Sequence, residues 1–192
     1  MNTMRKVFYS VVLPRSRERT IIDAIRLFAR PATRHPAHVT IGGPYPDYID
    51  PRQLSAAVRG LHALVQGVDE FKNKDKVAVF LRVHSPAMQA LKHTPDYPDS
   101  PTHLSLYDGE SVGFAGRLKE LMQSRNPRFE FVAKDVEPMV SGNGEFPLRA
   151  LYEPDDLKDF MHTPPSSAEV DSADETTRLR WIEELVSHFA AS

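Results

Sequence analysis

The chain has 192 residues, enough for one domain of ordinary size with a short appendage, and the 41% that are apolar suffice for a real core. A formal net charge of −2 excludes the global basic bias of proteins that coat long nucleic acids, yet leaves room for a local patch that holds a small phosphate. With no cysteine anywhere, disulfides, thiolate zinc sites and cysteine nucleophiles are excluded.

Met1 to Arg5 run straight into a strand-like segment without the apolar stretch of a signal peptide. No run approaches transmembrane length, so no membrane association and a cytoplasmic location are expected. Val7, Tyr9 and Val11 alternate with Phe8, Ser10 and Val12, which predicts a buried strand over 5–13 that Pro14 stops. Ser16 can cap a helix over 17–29 with Ile21, Ile22, Ile25 and Phe28 as its apolar stripe. A strand over 37–43 follows. Asp50-Pro51 marks a helix start, with Leu54, Val58, Leu61 and Val65 on the buried side.

A hairpin at Lys72-Asn73-Lys74-Asp75 joins a strand holding Phe71 to one over 77–84. In the latter Val77, Val79, Leu81 and Val83 share one face, and Ala78, Phe80, Arg82 and His84 the other. Pro86 opens a short helix, and Pro95, Pro98 and Pro101 make 93–102 a loop. A strand over 102–107 leads to a helix capped by Asp108 or Ser111, with Phe114, Leu118, Leu121 and Met122 inside. Asn126-Pro127 ends it, and Phe129 to Ala133 reads as a strand. A Gly-Asn-Gly turn within 141–146 and a final strand over 146–152 come next. The Pro-, Ser- and acid-rich stretch 163–174 reads as a linker. A capping box from Ser172 to Glu175 starts a terminal helix with Leu179, Ile182, Leu185, Val186 and Phe189 along one side. Helices interleaved with strands, one of them in a hairpin, indicate an α+β fold of two sheet-and-helix lobes.

The chemistry concentrates in two stretches. Of eight histidines only His38 and His103 are followed two residues later by a hydroxyl. They stand in His38-Val39-Thr40-Ile41 and His103-Leu104-Ser105-Leu106. On a strand each pair of polar side chains shares one face, while Val39, Ile41, Leu104 and Leu106 point to a core. Tyr107, by the same parity, falls on the face of His103 and Ser105 and is a candidate substrate contact. Gly42 faces that side too and leaves room for a ligand. Phosphodiester chemistry without a metal needs a base, an acid and donors for the phosphoryl oxygens; two imidazoles and two hydroxyls supply all three.

These paired tetrapeptides resemble the signature of the two-histidine (2H) phosphoesterase superfamily, which includes cyclic phosphodiesterases and RNA 2′-5′ ligase-like proteins. The resemblance spans about residues 4–152. It implies two similar lobes of largely antiparallel sheet with outer helices and a cleft between them, here residues 1–155. Residues 156–192 would form the linker and a terminal helix packed on that domain. It further implies His38 and His103 as the acid–base pair, with Thr40 and Ser105 binding the phosphate. The implied substrate is a nucleotide or short RNA with a cyclic or 2′-linked phosphodiester, and no metal or cofactor is called for. Which histidine is the base stays open. Arg34 and His35 offer a phosphate-attracting rim or a plain solvated loop; Phe80 and Tyr9 offer base contacts or core. Asp96, Asp99, Asp155 and Asp156 with His93 and His162 fit no metal-ligand spacing. Two rival readings remain: a cleft that binds a nucleotide or RNA end without turning it over, and an adaptor that works through the terminal helix.

Overall fold

The computed structural model describes residues 6–140 and 148–189. Seven antiparallel strands form one sheet: β1 (Val7–Val12), β2 (His38–Tyr45), β3 (His62–Asn73), β4 (Lys76–His84), β5 (His103–Gly109), β6 (Arg128–Val132) and β7 (Val136–Val140). Their spatial order is β6-β3-β4-β5-β2-β1-β7. The fold is α+β. A single sheet stands where two lobes were expected, and its two parts meet at β2 and β5 through one residue pair, Val39 and Leu104.

Three helices form most of the second layer: α1 (Arg17–Ala29), α4 (Val112–Arg125) and α6 (Glu175–Val186), while α2 (Arg52–Val58), α3 (Pro86–Leu91) and α5 (Ser167–Ser172) are short. Ser16 caps α1 by accepting from the Arg19 N–H, and Ser111 caps α4 by accepting from Phe114 N–H. The predicted stripe of α1 is buried in full, as are Val77, Val79, Leu81 and Val83 of β4. Helix α6 packs on α1 and α4 and buries Leu179, Ile182, Leu185 and Val186 in the same core. Arg178 ties the three helices together. Its guanidinium donates to the Phe28 and Ala29 carbonyls at the open end of α1 and lies over the Phe114 ring. Among the described residues no helix is long and apolar enough to cross a membrane.

Several expectations give way. Helix α2 stops at Val58, and Gly60, with φ of +82°, turns the chain into β3. Leu61 and Val65 therefore leave the helix, and Val65 is buried from a strand. Spacings of three and four matched a helix, but after the glycine the chain enters the sheet as an interior strand between β6 and β4. Strand β7 was not foreseen, since Pro138 interrupts its pattern; it is an edge strand, where a missing N–H costs no ladder bond. Residues 148–151 form a 3-10 turn in place of the final strand, and the expected Gly-Asn-Gly turn lies outside the described residues. The expected linker contains α5, held by a capping box between Ser166 and Glu169, with Val170 fully buried. Asp174, not Ser172, caps α6.

Two glycines at positive φ separate strain from clash. At Gly43, with φ of +94°, a β-carbon would stand 2.5 Å from the Val7 carbonyl oxygen; at Gly60 it would meet nothing within 4 Å. Gly60→Ala is expected to cost about 1 kcal/mol from backbone conformation alone, and Gly43→Ala ~2 kcal/mol or more. Urea denaturation midpoints of the two variants check the order.

Candidate active site

Each histidine is set by the residue in front of it. The Ala37 N–H donates to the Asp23 carboxylate on α1 at 2.5 Å, and the Ala37 carbonyl accepts from Leu13 N–H at 2.9 Å. In the second stretch the Thr102 N–H donates to the Gln89 side-chain oxygen on α3 at 2.7 Å, and the Thr102 carbonyl accepts from Val83 N–H at 3.0 Å. The two strand–helix–strand units, β1-α1-β2 and β4-α3-β5, thus clamp the residue before their histidine in the same way. Sheet order repeats the match. Outward from the β2/β5 seam, β1 lies beside β2 and β4 beside β5, and β7 flanks β1 as β3 flanks β4.

The ring that follows is fixed too. His38 Nδ1 lies 2.7 Å from the Pro36 carbonyl oxygen, and His103 Nδ1 lies 2.8 Å from that of Pro101. A carbonyl only accepts, so Nδ1 carries the proton in both rings. Nε2 is left as the acceptor in the neutral form and as the second donor in the charged form. The sequence carries this match as a longer pattern than the tetrapeptides: Pro36-Ala37-His38-Val39-Thr40-Ile41 beside Pro101-Thr102-His103-Leu104-Ser105-Leu106.

Val39 pairs with Leu104 in antiparallel register. The residues between His and hydroxyl in the two stretches are thus neighbours across the seam, and His103 lies within electrostatic reach of His38. His38, Thr40 and Ser105 border a cavity of about 610 Å³, within the roughly 300–1,000 Å³ range of small-ligand sites. His103 does not border it. Its ring rests against Phe80 at 5.0 Å and Phe71 at 5.3 Å, and those two phenyl rings stack at 4.3 Å.

The two half-sites differ in their neighbours. Thr40 pairs across β1 with Ser10, and their hydroxyl oxygens are 3.2 Å apart. Ser105 pairs instead with Phe80. Beside His38 stand the edge of the His35 ring, at 6.2 Å between centroids, and the buried guanidinium of Arg26. Burial and then the Arg26 charge push His38 down to about 3, against a smaller upward pull from the Pro36 carbonyl. Burial also lowers His103, assisted by Lys92. The Lys92 ammonium donates to the Ser100 and Pro101 carbonyls, the latter being the oxygen that holds His103. Arg34 and His35 both border the cavity.

Tyr107 is placed otherwise than parity implied. Leu106 is an extra residue in β5: Phe80 pairs with Ser105, but the next pair is Val79 with Tyr107. This bulge moves Tyr107 to the core side with Val79. Its ring packs on Phe114 at 5.2 Å and its hydroxyl accepts from Ser111 N–H, although the residue still borders the cavity. A side chain at 109 would collide with that phenol, so Gly109 accommodates it. Gly42 does not open onto empty space either; Tyr9 and Tyr45 lie over it. Tyr9 and Phe80 are buried. Ser10, Asp23, Arg26 and Gln89 were not singled out from sequence, because nothing local in the chain couples them to the histidines.

No family model, curated protein or solved structure matches the chain.

The depressed His38 has a stability consequence. Between about pH 3 and 6.5 the unfolded chain binds a proton at this position and the folded chain does not, so stability rises with pH across that window and levels above it. His38→Gln removes the term. Melting temperatures from pH 7 down to 4.5 should fall less in this variant than in the wild type, and parallel curves would contradict the burial of a neutral imidazole.

Proposed function

We propose that the chain is a metal-independent phosphoesterase acting on a cyclic or 2′-linked phosphodiester of a nucleotide or short RNA. The observation that carries this reading is the matched pair of rings across the β2/β5 seam. Each imidazole is anchored through Nδ1 and offers Nε2, and the two motif strands meet at Val39 and Leu104 between them. The likeness of the two motif strands to the 2H phosphoesterase signature points the same way. So does the repetition of the strand–helix–strand clamp, which accords with a family built from two similar lobes.

The roles follow from electrostatics. Burial and Arg26 disfavour a charged His38, so His38 stands in the neutral form that a general base must have before it takes a proton. His38 Nε2 takes a proton from the attacking water as the oxygen bonds to phosphorus. The opposite P–O bond breaks, and His103, charged in the bound complex, returns a proton to the leaving ribose oxygen. For a 2′,3′-cyclic phosphate the product is a monoester beside a free hydroxyl. Thr40 and Ser105 donate to the non-bridging oxygens where charge builds. Either hydroxyl of the Ser10–Thr40 pair can donate, and in the arrangement where Ser10 does, the Thr40 proton is free to turn toward the ligand.

Each proton transfer is worth roughly 10²–10⁴-fold in rate. His38→Ala and His103→Ala should therefore each lower kcat/KM by at least about 100-fold on the cleaved diester, with a bell-shaped pH profile and undiminished activity in EDTA. A panel of 2′,3′-cyclic nucleotides and 2′-5′ or 3′-5′ dinucleotides, resolved by mass and linkage, checks this. Loss from only one histidine variant would break the paired mechanism. Tight binding with no product from any diester would leave a binding cleft instead.

A further inference from the structure

The cavity extends well past the four motif residues, and its extra wall is cationic. Arg26, Arg30, Arg34 and Lys76 border it, against one carboxylate, Asp108, among the described residues. The last turn of α1 and the loop after it supply three of the four. Arg26 is the unusual member. Its side chain is 8% exposed, yet one terminal nitrogen is buried without any hydrogen-bond acceptor. Its nearest carboxylate oxygen, on Asp23, is 4.0 Å away and belongs to a group already taken by Arg19 and the Ala37 N–H. A buried guanidinium left short of acceptors is costly for a fold unless something else supplies the anion. The opposite flank of the site, at His103, is aromatic: Phe80 buried, Phe71 stacked on it and partly exposed.

We propose that this cavity seats a second phosphate of the substrate on Arg26, with Arg30, Arg34 and Lys76 around it, so that the enzyme acts on nucleotides carrying a phosphate beyond the reacting one. The inference rests on the phosphodiester reading for the position of the first phosphate, which the hydroxyls of Thr40 and Ser105 hold between the two imidazoles. The guanidinium, which borders the cavity, then gains a phosphoryl oxygen as a charge-assisted partner. A ligand with one phosphate fills the motif end only and leaves Arg26 as it is. The two flanks also give the substrate a direction: the anionic extension lies on the His38 side and an aromatic base on the Phe71 side.

The probes are adenosine 3′-monophosphate and adenosine 3′,5′-bisphosphate, titrated calorimetrically in EDTA into the full chain. The wild type should prefer the bisphosphate by at least about tenfold. Arg26→Met keeps the side-chain volume and removes the charge. It should shrink the preference to under about threefold while binding the monophosphate much as before, and its melting temperature should not fall. His103→Ala should keep the preference. Equal affinities in the wild type, an undiminished preference in Arg26→Met, or an equal loss of both ligands would overturn the subsite; the last would put Arg26 on the reacting phosphate. Should Arg26→Met fail to fold, the double variant Arg30→Gln and Arg34→Gln must lower the preference, and an unchanged ratio there counts against the proposal equally. Turnover of simple cyclic nucleotides with no bisphosphate preference would sink the subsite alone. A preference with no turnover of any diester would sink the phosphoesterase reading alone.

Discussion

Everything at the site depends on two peptide units, those of Ala37 and Thr102, being hydrogen-bonded at both ends. A strand residue ordinarily gives its N–H and carbonyl to neighbouring strands. Here, one residue ahead of β2 and β5, the N–H goes to a side chain on the preceding helix and the carbonyl to Leu13, next after β1, or to Val83 of β4. The backbone of the next residue, the histidine, then has little freedom. Its ring has less still, because Nδ1 closes back on the carbonyl two residues earlier. Side chains that must meet within a fraction of an ångström are best held by rigid elements whose own contacts are complete. Residue pairing at the β2/β5 seam does the rest, bringing the two anchored rings within electrostatic reach of one another.

On this shared frame the two halves have diverged in their surroundings. The His38 half is polar and cationic, with Ser10 against Thr40 and Arg26 within reach of the ring. The His103 half is aromatic, with Phe80 in the position that Ser10 occupies in the first half. Lys92 stands in for Arg26 there, but it is engaged by the Ser100 and Pro101 carbonyls. A symmetric frame with asymmetric linings suits a ligand whose ends differ: charge at one end, a flat ring at the other.

What could be read from the chain follows from range. The His and hydroxyl pairs were legible because a strand has a period of two, and four residues suffice to show it. The caps of α1 and α4 were legible because a cap is local. Tyr107 was misplaced because a single inserted residue reverses parity, and the bulge shows only in the pairing of β5 with β4. Val65 was misassigned because spacing alone does not tell a helix from a strand once a glycine intervenes. Strand β7 was missed because its partner β1 lies more than a hundred residues earlier. Asp23 and Gln89 could be found only by aligning the two Pro-x-His units and asking which upstream side chain reaches each. Residue type does not help, since one is acidic and central in a long helix and the other is an amide in a short one.

In the free protein both imidazoles are pushed toward the neutral form, which suits a base and not an acid. On the phosphodiester reading the substrate itself resolves this. A phosphate placed between the rings brings negative charge to the imidazole that must hold a proton, and opposite charge at close range favours the charged form. A second phosphate on Arg26 would cancel the cation that most depresses His38. Its effect would then be twofold, adding binding energy and bringing His38 back toward its ordinary range, where an imidazole is a more effective base. On the same reading the buried guanidinium, short of acceptors without a ligand, would disfavour charge on His38 until an anion of the right length joins it.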